Sequence, residues 1–288
     1  MSINKYTKEE KDFLLQNYNV MGVDFCFEHL KTKTKDSIRR KAYYLNIRIS
    51  DELKKQLPIK AGINRRAKTL EEHEKFNNSF VVADDKTAYF LGFLWADGYL
   101  YGKEGHYMQA HITMVKDDYD DLVEYFPKDL GKFLSYEQKQ KDEKHKSKIY
   151  FRLKNPSFAY FLYKNDYKDK SCVSPIKILN KIPESLHKFF WLGYFDGDGC
   201  FYAGKNCPSF SVSGNIDQDW SCLETLTKIL NIKSYAINKR VNKNRNSKCS
   251  VYRIWRKEDL KILINYLYND TVFGLNRKRS KANLIASI

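Results

Sequence analysis

Two apolar runs punctuate an otherwise polar chain: FLGFLWADGY from Phe90 to Tyr99, and WLGYFDGDGC from Trp191 to Cys200. Each places a small residue four positions after a glycine, Gly92 with Ala96 and Gly193 with Gly197, and each ends in an Asp-Gly pair. An apolar run that stops at glycine predicts a buried helix whose C′ residue takes a left-handed turn. Small residues one turn apart let two such helices approach backbone to backbone.

The flanking periodicity repeats as well. After the first run come a strand pair ending in AHITM, a helix over 117–130, two strands within 133–154 and a helix over 156–163. After the second come the strand SFSVSG, a helix over 217–230, strands within 233–255 and a helix over 257–268. Leu223, Leu226, Ile229 and Leu230 form the expected apolar stripe of the 217–230 helix. The phase agrees too: Phe133 lies 36 residues after Asp97, and Lys233 lies 35 after Asp198.

Residues 1–50 read as a separate three-helix module. Thr7 and Glu10 make a capping box opening a helix that turns Phe13, Leu14 and Tyr18 inward. A second helix is expected over 23–30. Thr34 caps a third, with Ile38, Ala42 and Leu45 on its inner face and Arg39, Arg40 and Lys41 outside. Residues 51–83 are a basic connector interrupted by Pro58 and Gly62, either a tether along a phosphate backbone or a solvated linker. Residues 84–182 and 183–288 are the two repeats.

The chemistry lies in Asp97 and Asp198. A carboxylate at a helix C-terminus meets the negative end of the dipole, and a second one nearby raises the penalty. A divalent cation relieves both, and hard oxygen ligands completed by water or phosphate suit Mg²⁺. A calcium loop starting at Asp196 is excluded, because its twelfth position is Cys207 rather than glutamate.

At these residues the chain resembles the LAGLIDADG homing endonucleases in their single-chain, two-motif form. Gly92 and Gly193 match the motif's third position, Ala96 and Gly197 its seventh, and Asp97 and Asp198 its last acid. The sixth position is Trp95 in one copy and Asp196 in the other, which speaks against a metal role for Asp196. The resemblance implies an α+β fold: two pseudo-symmetric αββαββα repeats forming a DNA-binding saddle, with the motif helices at the pseudo-twofold axis. It also implies that Lys170 and Lys278, closing each repeat, project toward metal-bound solvent. Each half would cut one strand and leave short 3′ overhangs. The front module resembles the helix-turn-helix or Myb-like modules that accompany many such nucleases, whose last helix enters the major groove.

Charge agrees with this picture. The 288 residues carry a formal net charge of +16, which points to a polyanionic partner. Much of it falls on the two strand segments, on Lys139, Lys141, Lys148 and Arg152 in the first and on Lys239, Arg240, Lys243, Arg245 and Arg253 in the second. A basic antiparallel ribbon can enter the major groove, with hairpin tips on phosphate. The alternative is a solvated hairpin. No apolar run approaches a membrane-spanning length, and the polar start MSINKYTKEEKD has no signal-peptide pattern. The six cysteines form no CxxC pair, so reduced thiols are expected rather than a zinc site.

The reading that follows is a monomeric, Mg²⁺-dependent, site-specific endonuclease acting on a long asymmetric site in double-stranded DNA. It would work inside the cell, wherever its target lies, in phage-infected bacterial cytoplasm or an organelle, free-standing or intron-encoded rather than as an intein. Its rivals are a maturase-like RNA-binding splicing cofactor and a DNA-binding regulator without cleavage, both on the same scaffold.

Overall fold

The computed structural model describes residues 6–103, 106–138, 147–204, 207–242 and 247–287. The chain divides into two compact units, Met1–Glu71 and Glu72–Ile288.

In the first unit α1 (Lys8–His29) opens with the reciprocal cap expected of Thr7 and Glu10, each backbone N–H donating to the other's side chain. Gly22, at φ 75°, breaks this element into two helices, so the second begins where the sequence placed it. α2 (Lys35–Tyr44) is capped by the Thr34 hydroxyl, which accepts from Ser37 N–H at 3.1 Å. Leu14, Cys26, Leu30 and Ile38 are buried together, with Phe13 and Tyr18 packed on them. The three-helix expectation therefore holds.

The connector is helical. α3 (Asp51–Ser79) continues through Pro58, which lacks an N–H and so removes one intrahelical bond. The loss of one bond does not stop a helix of 29 residues whose other positions are mostly good helix formers.

The second unit holds two αββαββα repeats. The first runs through α4 (Asp85–Asp97), β1 (Gly98–Lys103), β2 (His106–Val115), α5 (Lys116–Leu122), β3 (Lys132–Gln138), β4 (Lys148–Lys154) and α6 (Pro156–Lys164). A one-turn helix, α7 (Ile176–Leu179), leads into the second. That repeat runs through α8 (His187–Gly197), β5 (Gly199–Tyr202), β6 (Ser209–Asn215), α9 (Ser221–Ile229), β7 (Tyr235–Asn242), β8 (Ser247–Ile254) and α10 (Lys257–Tyr268), followed by α11 (Asn276–Ala286). Each repeat forms a four-stranded antiparallel sheet, ordered β1-β2-β4-β3 and β5-β6-β8-β7. Alternation puts Ile149, Phe151 and Leu153 of β4 beneath the helices, and Phe210, Val212, Tyr252 and Ile254 likewise in the second sheet.

Three sequence expectations change. The helix of 117–130 shortens to α5 and gives way to two 3₁₀ turns, Val123–Tyr125 and Lys128–Leu130, because Pro127 cannot continue it. Ile229 of the predicted stripe is 73% exposed, whereas Leu223 and Leu226 are buried. The glycines after the motif aspartates take no left-handed turn: Gly98 is extended, at φ −86° and ψ 168°, because β1 starts there at once. They are required for room instead. A Cβ on Gly98 would lie 2.4 Å from the Tyr167 hydroxyl, and one on Gly199 would lie 2.5 Å from the Phe195 carbonyl oxygen.

The small residues inside the motifs act as predicted. A Cβ on Gly92 would lie 1.9 Å from the Phe190 carbonyl oxygen, and one on Gly193 would lie 2.0 Å from that of Tyr89. One on Gly197 would meet the Ala96 Cβ at 2.3 Å. Backbone thus packs on backbone, and around this contact the fully buried Tyr89, Phe90, Phe93 and Phe190 form the centre of the core. Gly92→Ala or Gly193→Ala must push the helices apart, and each should cost roughly 3 kcal/mol or more of stability in denaturant unfolding.

Candidate active site

The helix pair carries one acid at each C-terminal end. Asp97 is the last residue of α4, and Asp198 caps α8. They lie close to one another: a Cβ on Gly197, the residue before Asp198, would sit 3.3 Å from Asp97 Oδ2. Burial against the protein pushes the Asp198 carboxyl from 3.8 up to about 6, and neighbouring Asp97 adds to the rise while Lys170 and Lys278 oppose it. Burial raises Asp97 as well, again opposed by Lys170 and Lys278. Both side chains still reach solvent at the rim, so the rise reflects protein crowding their remaining sides.

The lysines named from the resemblance sit beside these acids. Lys170 Nζ donates to the carbonyls of Trp95 and Ala96, both at 2.6 Å. Lys278 Nζ donates to those of Phe195 at 3.2 Å, Gly197 at 3.4 Å and Gly199. Each ammonium thus closes the end of one motif helix, where carbonyls lack intrahelical partners and the dipole is negative. Burial lowers Lys170 from 10.5 to about 8, with Asp198 and Asp97 acting the other way. Burial also lowers Lys278, and Arg277 adds to the effect.

Asp196 points elsewhere. It is 1% exposed and accepts from the Tyr89 hydroxyl at 2.7 Å and from Leu275 N–H at 2.8 Å. Its Oδ1 is buried without a hydrogen-bond partner, and burial raises its carboxyl to about 6. It ties the two motif helices to the start of α11 and stands apart from the acid pair.

No group of three or more His, Cys, Asp or Glu side chains converges among the described residues. The donor set is therefore two carboxylates on adjoining helix ends, next to backbone carbonyls held by ammonium groups. This suits Mg²⁺, which binds through one or two carboxylates and keeps several waters.

The strands β1 and β5 begin one residue after each acid, so both sheets fan out from the pair. Register sorts the basic residues by face. Lys148 and Arg152 lie on the helix-free face of the first sheet with Tyr99, His111, Tyr136 and Tyr150. Arg152 stacks its guanidinium 4.9 Å from the Tyr136 ring, and Tyr136 stacks on Tyr150 at 4.8 Å. Arg240 and Arg253 share the corresponding face of the second sheet with Ser211, Ser213, Asn215 and Asn238. Lys239 pairs with Ser250 and so points to the opposite face. Lys139, Lys141, Lys243 and Arg245 lie outside the described residues. In the first unit Arg39 and Arg40 are exposed on α2, Arg39 in contact with Asp36, while Lys41 is half-buried with its ammonium 5.9 Å from the Tyr6 ring.

Sequence reasoning missed two contacts at the start of α11. Arg277 makes a bidentate pair with Asp118 of α5 at 2.7 and 2.8 Å, and Asn276 donates twice to Asp121. The acidic stretch KDDYDD was visible, but nothing local announces contacts across 155 and 159 residues.

The raised carboxyl of Asp198 has a thermodynamic consequence. Its ionisation costs the fold nothing below the unfolded value of 3.8, and the cost grows up to about 6 and stays full above it. Asp198→Asn should therefore match the wild type in melting temperature near pH 4, and exceed it at pH 7 in metal-free buffer. Thermal melts across that range give the check.

No protein-family profile matches the chain, and no curated protein does. Among solved structures the chain is similar to the homing endonuclease I-WcaI bound to its DNA recognition sequence: 17% identity, 73% of this chain and 91% of that one, TM-score 0.46. It is similar to the LAGLIDADG homing endonuclease I-SmaMI bound to cleaved DNA: 14% identity, 72% and 89%, TM-score 0.44. It is also similar to the N-terminal LAGLIDADG domain of DUF199/WhiA: 12% identity, 73% and 94%, TM-score 0.40.

Proposed function

We propose that this protein is a LAGLIDADG-type, Mg²⁺-dependent endonuclease that cuts both strands of a specific double-stranded DNA site. The observation that carries the reading is the meeting of Asp97 and Asp198 at the ends of two helices in backbone contact, each beside an ammonium group. Two carboxylates driven together at negative helix ends oppose folding, and a cation-dependent function accounts for their presence.

Asp97 and Asp198 would hold the metal. Mg²⁺ held there would supply positive charge at the scissile phosphate and lower the pKa of the attacking water, so that it loses its proton more readily. Lys170 and Lys278 hold positive charge where the pentacovalent phosphate gains negative charge, and their bonds to the helix-end carbonyls fix them there. The helix-free sheet faces align the duplex, with Lys148, Arg152, Arg240 and Arg253 available to phosphates and base edges. The first unit supplies a DNA contact of its own through Arg39 and Arg40 of α2, in the manner of a helix-turn-helix or Myb-like module. No helix among the described residues is long and apolar enough to cross a membrane.

The test is incubation with a randomised DNA site library and with the uninterrupted genomic locus, in Mg²⁺ or in EDTA, followed by sequencing of cleaved ends. Cleavage should require Mg²⁺. Asp97→Asn and Asp198→Asn should slow it roughly 1,000-fold or more while DNA binding persists. Binding without cleavage by the wild type would instead mark a regulator, and a preference for a structured intron transcript would mark a splicing cofactor.

A further inference from the structure

The two lysines of the acid pair are held in different ways. Lys278 is the third residue of α11, and each of the three residues before it is bound by a separate carboxylate. Leu275 N–H donates to Asp196 Oδ2 at 2.8 Å. Asn276 donates its backbone N–H to Asp121 at 3.0 Å and its side-chain amide to the same carboxylate at 2.5 Å. The Arg277 guanidinium forks onto Asp118, which is 6% exposed. Asp118 and Asp121 come from the first repeat, Asp196 from the second.

The chemistry explains why carboxylates are used. The first N–H groups of a helix lack intrahelical acceptors, and its N-terminal end attracts negative charge. Bidentate guanidinium pairing adds direction, because the fork fits a carboxylate in one orientation. Three fixed points over three consecutive residues leave the start of α11 little freedom to turn or slide. Lys278 inherits that position, and its side chain, 6% exposed, reaches the carbonyls at the end of α8. Lys170 follows a 3₁₀ turn, Tyr167–Asp169, and the segment after it meets the other repeat through the carbonyls of Cys172 and Val173, which accept from Asp219 N–H and the Gln218 amide.

We propose that Asp118, Asp121 and Asp196 are positioning residues that clasp the start of α11 and thereby set Lys278 independently of Lys170. The clasp spans both repeats, so the first half of the molecule fixes a reactive group belonging to the second. Resting on the endonuclease reading, the inference extends to one strand: loosening the clasp should impair the step that uses Lys278 and spare the other, leaving nicked DNA.

Two measurements test this. In the first, the metal-free full-length protein is treated with an amine-acetylating reagent, and each lysine is followed by mass spectrometry, with Lys170 as internal control. Loss of one charge-assisted bond in Asp118→Asn or Asp121→Asn should speed acetylation of Lys278 roughly tenfold. Lys170 should be unchanged. Asp120→Asn, on the same helix but paired with exposed Lys116, should alter neither. An unchanged Lys278, equal acceleration at both lysines, or the same effect from Asp120→Asn would overturn the proposal. In the second, single-turnover cleavage with each strand labelled should show one strand slowed, nicked product accumulating and DNA affinity retained; equal slowing of both strands would overturn it. Should the lysines label as expected while the wild type cuts no DNA, the clasp stands and the endonuclease reading falls.

Discussion

Everything in the second unit follows from the contact between α4 and α8. Gly92 lies against the backbone at Phe190, and Gly193 against the backbone at Tyr89, with no side chain between. That proximity brings two helix ends of like polarity together and sets a carboxylate on each. The structure answers the resulting negative charge with Lys170 and Lys278, whose ammonium groups occupy the orphaned carbonyls. Packing chosen for closeness thus creates an electrostatic problem, and its resolution is the candidate active site.

Much of this was legible in the residues. The glycine spacing announced the helix contact, the repeat announced two sheets, and Thr7, Glu10 and Thr34 announced the ends of their helices, because each is a local signal with a local cause. What escaped was set by distant partners. The room that only a glycine leaves at position 98 is set by the Tyr167 hydroxyl, which no pattern around the motif reveals. Ile229 has the spacing of a core residue, yet it faces outward at the end of α9. The role of Asp118 and Asp121 emerges only when α11 arrives from the far end of the chain.

The repeats share a topology and differ in the surfaces they offer. The helix-free face of the first sheet is aromatic and stacked, with Arg152 fixed over Tyr136. That of the second carries small polar groups around Arg253, which donates to Ser209 at 3.1 Å. One face is preorganised and bulky, the other open to bridging water. A duplex laid across both, as in the proposed function, would meet two chemically distinct half-surfaces.

The start of β1 and β5 immediately after the acids has a geometric corollary. With no loop between helix end and sheet, neither sheet can swing without moving its own aspartate, so the separation of the two helix-free faces is locked to the spacing of Asp97 and Asp198. Side chains on the faces can vary without disturbing that separation. Were the faces to read DNA as proposed, the interval between the halves of the site would be held constant by Gly92 and Gly193.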